Sequence, residues 1–147
     1  MKSTKVLSLL IIIHVACQLQ TVSEQPSDSL TILDNMAIRG ASYDSIETGI
    51  SDKDYERIRK ASLVIVELSS ISEIERNKLA LIIGKNEIPS FIHFDQMVIL
   101  HSDSIRLAAE REDLPEIRFH FNVLDKKACG GCHDNYWKKV DDWKKNR

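Results

Sequence analysis

LPEIRFHFNVLDKKACGGCHDNY, residues Leu114–Tyr136, is the stretch that decides how this chain is read. Pro115 suits the first turn of a helix, where a missing N–H costs nothing. Asp113-Leu114 forms the entry to that helix, and the helical pattern carries from about Pro115 past His133. No strand precedes it. The segment is predicted as one long helix near the end of the chain.

Three further helical segments lie upstream, where apolar residues recur at helical spacing. The third runs from about Ser90 to Arg111 and carries Phe91, Phe94, Met97, Val98, Ile105 and Ala108. The second runs from about Asp52 to the early 70s, with Tyr55, Ile58, Ala61, Ile65 and Leu68. Leu63-Val64-Ile65-Val66 would suit a buried strand by propensity, but it lies inside the longer helical pattern. The first runs from about Leu30 to Thr48, with Ile32, Leu33, Met36, Tyr43 and Ile46 near one side. Gly49 is expected just past its end, and Ser51-Asp52-Lys53-Asp54 resembles a capping sequence with Asp54 in place of the usual Glu or Gln. A short helical stretch around Glu73–Ile83 belongs to the connection that Gly84 and Pro89 close.

The 147 residues fit one domain. Hydrophobic residues make up 43% and charged residues 29%, which suits a globular chain and argues against long disorder. Five Gly and three Pro are too few for the frequent turns of a β-sandwich or barrel. No repeat suggests a solenoid. The expected fold is all-α, an antiparallel four-helix bundle in which the four segments bury one shared core. The net charge of −2 advertises no nucleic-acid partner.

At the other end of the chain, Lys2 and Lys5 precede the apolar run from Val6 to Ile13, and Val15-Ala16-Cys17 follows. A basic start, a short apolar run and small exit residues read as a secretory signal peptide, about residues 1–22, ahead of a domain over 23–147. The run is too short for the ~20 residues of a membrane span. Cleavage removes Lys2 and Lys5 and moves the net charge from −2 to −4. Cys17 has two readings. It leaves with the signal, or it is the lipid-modified cysteine of a membrane-anchored lipoprotein, although His14 stands where that signal favours Leu. Either reading puts the mature chain outside the cytoplasm.

Cys129-Gly130-Gly131-Cys132-His133 carries the chemistry. C-x-x-C-H is the attachment signature of c-type haem. Positions i, i+3 and i+4 share a helix face. Two thiols on that face can bond to the two vinyl groups on one porphyrin edge, while the imidazole of His133 reaches the iron. Gly130 and Gly131 offer no side chain to obstruct the ring, at a helix cost of about 1 kcal/mol each. Three other readings compete. A redox disulfide pair usually starts a helix after a strand, and none is expected here. A zinc site needs a second ligand pair, and the chain after the signal has no other cysteine. The motif can also occur by chance, which leaves a haem-free helical module.

A C-x-x-C-H near the C-terminus of an exported four-helix pattern resembles the cytochrome c′ family. The resemblance spans about Leu30 to Trp137. It is strongest in MAIRGASYDSIETGISDKDYERI, residues Met36–Ile58, and in Leu114–Tyr136. It implies one covalent haem c on Cys129 and Cys132, with His133 as the proximal iron ligand, in a periplasmic protein. Two features depart from the family: Trp137 stands where Arg or Lys usually follows the haem histidine, and the link between the second and third helices is long.

The resemblance leaves the far side of the iron open. Leu33-Asp34-Asn35-Met36 resembles the Met-bearing first helix of the b-type four-helix cytochrome, so Met36 is the candidate distal ligand. A register one turn away puts Leu33 over the iron instead and leaves it five-coordinate. Met36 is otherwise a plain core residue. Met97 is a weaker candidate ligand, and Arg39 is a candidate haem-propionate contact. His93, His101 and His120 read as structural, and His120 stands too far along the helix from His133 to share its iron. Two functions follow. A six-coordinate iron serves electron transfer with redox partner proteins outside the cytoplasm. A five-coordinate iron binds NO or CO. The lysines after the haem motif read as a solvated helix end or as a docking patch for an acidic partner. Relatives of this type often pair into homodimers. No acid–base or nucleophile arrangement points to an enzyme.

Overall fold

A computed structural model describes residues 31–68 and 71–146. The expected signal segment and Cys17 lie outside these residues. Every regular element among them is helical, in the order α1 (Ile32–Asp52), α2 (Tyr55–Glu67), α3 (Glu73–Ile83), α4 (Ile88–Glu110), α5 (Leu114–Val123) and α6 (Gly130–Lys145). A short 3-10 turn, Lys85–Glu87, leads into α4, and a π-helical turn, Leu124–Cys129, joins α5 to α6 without a break. Leu63–Val66 is helical, inside α2.

Local chemistry explains most of the boundaries. Thr31 and Asp34 cap α1 reciprocally, each side chain accepting from the other residue's backbone N–H. Ser72 caps α3 by accepting from the Glu75 N–H at 3.2 Å. Gly84 ends α3 at φ 103°, in the half of backbone space that favours glycine. Asp54 caps α2 from the Arg57 N–H, and Asp113 caps α5 from the Glu116 N–H.

The first two boundaries differ from expectation. α1 does not stop at Gly49. It continues to Asp52, and Lys53 takes the left-handed terminal conformation at φ 56°. Gly49 is buried inside the helix because α2 crosses it there: a Cβ would lie 2.7 Å from Cγ1 of Ile58. The glycine marks a close helix crossing, and α2 starts later than expected, at Tyr55.

α1 packs on α2, α2 on α4, and α4 on α5 and the π turn. Between them lies a closed aliphatic core in which Ile46, Ile58, Ile105 and Ile117 are fully buried. Each such side chain contributes about 1.5–3 kcal/mol of burial. Ser62 sits in this core with its hydroxyl donating to the Ile58 carbonyl at 2.8 Å. A second, smaller cluster forms where α3 meets α6 and the start of α4, from Ile71, Leu79, Ile83, Phe91 and Tyr136. No described helix is long and apolar enough to cross a membrane.

Candidate cofactor site

The second cluster borders two apolar cavities, of about 350 and 330 Å³. Jointly they fall within the ~300–1,000 Å³ typical of small-molecule and cofactor pockets. Cys129, Cys132, His133, Met36 and Arg39 all line the first cavity. Cys132, His133 and Met36 also line the second. Residues 97 positions apart in the chain, Met36 and His133, thus meet at the boundary between the cavities.

Each wall follows from its helix. On α1, Met36, Arg39, Gly40 and Tyr43 recur at helical spacing and face the first cavity. This face was expected to be core. Leu33 is instead exposed, and Met36 and Tyr43 are half-buried, while Asn35, Arg39, Ser42, Ile46, Gly49 and Ile50 are the buried residues. α4 contributes Phe91, Phe94, Asp95 and Val98. The π turn and α6 contribute the motif.

Both thiols are free and half-buried. Cys129 packs against the aliphatic core and Cys132 against the second cluster. Burial pushes both thiols up, and the pKa of Cys132 reaches about 11. They therefore stay protonated at neutral pH in the free chain and are poor thiolate nucleophiles there. Among the described residues no three His, Cys, Asp or Glu side chains converge to hold a metal ion. Neither a redox pair nor a zinc site draws support from this geometry.

His133 stands exposed at the cavity edge, its ring centroid 5.5 Å from that of Trp137. Arg39 pairs with Asp95 across the first cavity at 2.5 Å, with both side chains about nine-tenths buried. Arg39 Nε has no partner. A guanidinium on the wall of an apolar cavity suits a carboxylate on a bound group. Tyr43 stacks on Phe121 and lines the first cavity together with Asp125. Burial, followed by the Asp125 carboxylate, raises the Tyr43 pKa, and Lys126, followed by Tyr43, lowers that of Asp125.

The glycines of the motif are explained by protein neighbours. A Cβ on Gly131 would lie 2.8 Å from the Phe94 ring, and one on Gly130 would lie 2.9 Å from the Asp125 carbonyl oxygen. Gly40, which sequence reasoning missed, is different. It sits inside α1 on the cavity wall, and a Cβ there would meet nothing within 4 Å. A mid-helix glycine costs about 1 kcal/mol relative to Ala, and no protein atom uses the space it leaves.

The remaining candidates fall elsewhere. Met97 packs against the aliphatic core, and Met97 and His93 line neither cavity. His101 and His120 contact each other, Nδ1 to Nδ1 at 3.0 Å. In the tail, Lys138 pairs with Asp142 at 2.6 Å and Lys145 with Asp141 at 2.5 Å. These cations are balanced within their own helix, which weakens the docking-patch reading. In comparisons with known proteins, no family model, curated protein or solved structure matches the chain.

Proposed function

We propose that the chain is an exported c-type haem protein of the cytochrome c′-like kind, acting in electron transfer. Its α1, α2, α4 and the continuous α5–α6 rod would form the antiparallel four-helix bundle, with α3 as an added cover. One observation carries the reading. Both motif thiols, His133, Met36 and a buried arginine line one apolar cavity. The residues fit the group: two protonated thiols suit thioether bonds, Gly40 leaves room for a flat ring, and Arg39 suits a propionate. When bound, haem would supply an iron that cycles between two oxidation states.

The chain's own residues would do the rest. Cys129 and Cys132 would anchor one edge of the ring, and His133 would supply the proximal nitrogen. The apolar walls exclude water, which favours the less charged, reduced iron. A Met36 sulfur would raise the potential further. Leu33 lines only the second cavity, away from Cys129. That supports Met36 over Leu33 as the residue facing the iron, and so electron transfer over NO or CO binding.

Absorption spectra of the matured protein test this. His/Met ligation gives a low-spin spectrum with a sulfur-to-iron charge-transfer band in the oxidised state, and Met36→Ala removes the band. A high-spin ferrous form that binds CO without displacing a protein ligand overturns it in favour of the five-coordinate alternative.

A further inference from the structure

The rod from Leu114 to Lys145 must satisfy two cores at once. Leu124 and Ala128 are buried in the aliphatic core, and Tyr136 is buried in the second cluster, with Cys132 packed beside it. These four residues follow one another at steps of four. Twelve residues separate Leu124 from Tyr136. At 3.6 residues per turn, an unbroken α-helix leaves Tyr136 about 120° around the axis from Leu124. That is too far for both to face inward from one rod.

The π-helical turn removes the conflict. It spans Leu124–Cys129, ending on the first motif cysteine, and the Gly130 N–H donates to the Asp125 carbonyl five residues back. One wide turn accommodates one extra residue, which takes out about 100° of rotation. Tyr136 then falls about 20° from Leu124, and Cys132 falls on the same side. Gly130 permits this turn, since a Cβ there would crowd the accepting Asp125 carbonyl at 2.9 Å. The Asp125 side chain pairs with Lys126 at 2.7 Å and shares the first cavity wall with Tyr43 of α1, the helix that carries Met36.

We propose that the π turn over Leu124–Cys129 sets the register that aims Cys132 and His133 into the cavity opposite Met36, with Gly130 and Asp125 as its positioning residues. The proposal deepens the haem reading and rests on it for the role of the turn at the iron. The turn itself can be tested with or without haem.

Variants of the matured chain make the test. In an ordinary helix, Gly130→Ala raises the melting temperature by a few degrees. Here it lowers it by a similar amount. Deleting the exposed Lys126 removes the extra residue, and in that background Gly130→Ala stabilises again. In the haem-loaded protein the Lys126 deletion keeps the motif and the covalent haem, but it loses the wild-type axial-ligand spectrum as His133 and Met36 fall out of line. Tyr43→Phe, which removes the hydroxyl that shares the cavity wall with Asp125, moves that spectrum in the same direction by less. Stabilisation by Gly130→Ala in the full-length chain overturns the proposal, as does an unchanged spectrum in the deletion variant. Should the deletion variant not fold, the sign of the Gly130→Ala shift and the Tyr43→Phe spectrum decide. A wild-type chain without covalent haem defeats the functional reading alone, because the melting comparison still reports on the turn.

Discussion

The two ends of the core are built differently. Around Ile46, Ile58, Ile105 and Ile117 the interior is aliphatic and closed. Around Phe91 and Tyr136 it is partly aromatic, and it borders two cavities with half-buried thiols on their walls. Exposed Leu33 and Trp137 lie on that side as well. The closed end gains its stability chiefly from burial. The open end leaves apolar surface and a guanidinium N–H unsatisfied, which is the arrangement expected where a bound group completes the core. Substitutions at the two ends should therefore respond differently to haem.

The largest effect is expected at the buried Arg39–Asp95 pair. Asp95→Ala strands a buried guanidinium and should cost about 3–5 kcal/mol, with a smaller loss in the haem-loaded form if a propionate takes over the charge. Urea unfolding of both forms measures this, and equal losses would remove Arg39 from the haem contact. At the closed end, Ile58→Ala should cost about 2–5 kcal/mol in both forms alike. Gly40 sharpens the contrast. Gly40→Ala should stabilise the haem-free chain by about 1 kcal/mol, whereas Gly40→Leu should leave that chain folded and displace the ring, seen as an altered axial-ligand spectrum. A normal haem spectrum in Gly40→Leu would mean the ring lies elsewhere.

The smallest effect concerns pH, away from both cavities. Burial, and then the neighbouring His120 charge, hold the His101 pKa below its ordinary value. The folded state therefore binds fewer protons there than the unfolded state. The stability from a neutral His101 is fully present above about pH 6.5, the unfolded value, and is lost as pH falls toward the lowered folded value. Thermal melts between pH 5 and 8 should show this slope, and His101→Leu should flatten it.

Helical class and several boundaries were legible because their causes are local. Pro115 and Asp113 mark the α5 entry, and α3 spans the expected Glu73–Ile83. Features that depend on distant residues were not legible. Gly49 reads as a helix end until Ile58 is placed against it. The apolar side of α1 reads as core, but its Leu33, Met36 and Tyr43 line the cavities while polar Asn35, Arg39 and Ser42 are buried. The partner that makes Arg39 tolerable, Asp95, lies 56 residues away. The C-x-x-C-H motif is visible at once because it lies in five adjacent residues, and its two thiols and His133 do meet on one cavity wall. The π turn that carries it shows only as the four-residue spacing of Leu124, Ala128, Cys132 and Tyr136, which reads as an ordinary helix without the two cores on either side.

The central claim is that Cys129 and Cys132 hold a haem covalently. It is tested most directly by acid–acetone extraction of protein secreted alongside a c-haem attachment system, followed by a pyridine haemochrome spectrum. The account predicts one haem per chain that survives extraction and is abolished by Cys129→Ala with Cys132→Ala. A colourless wild-type protein in which both thiols still react with iodoacetamide would contradict it.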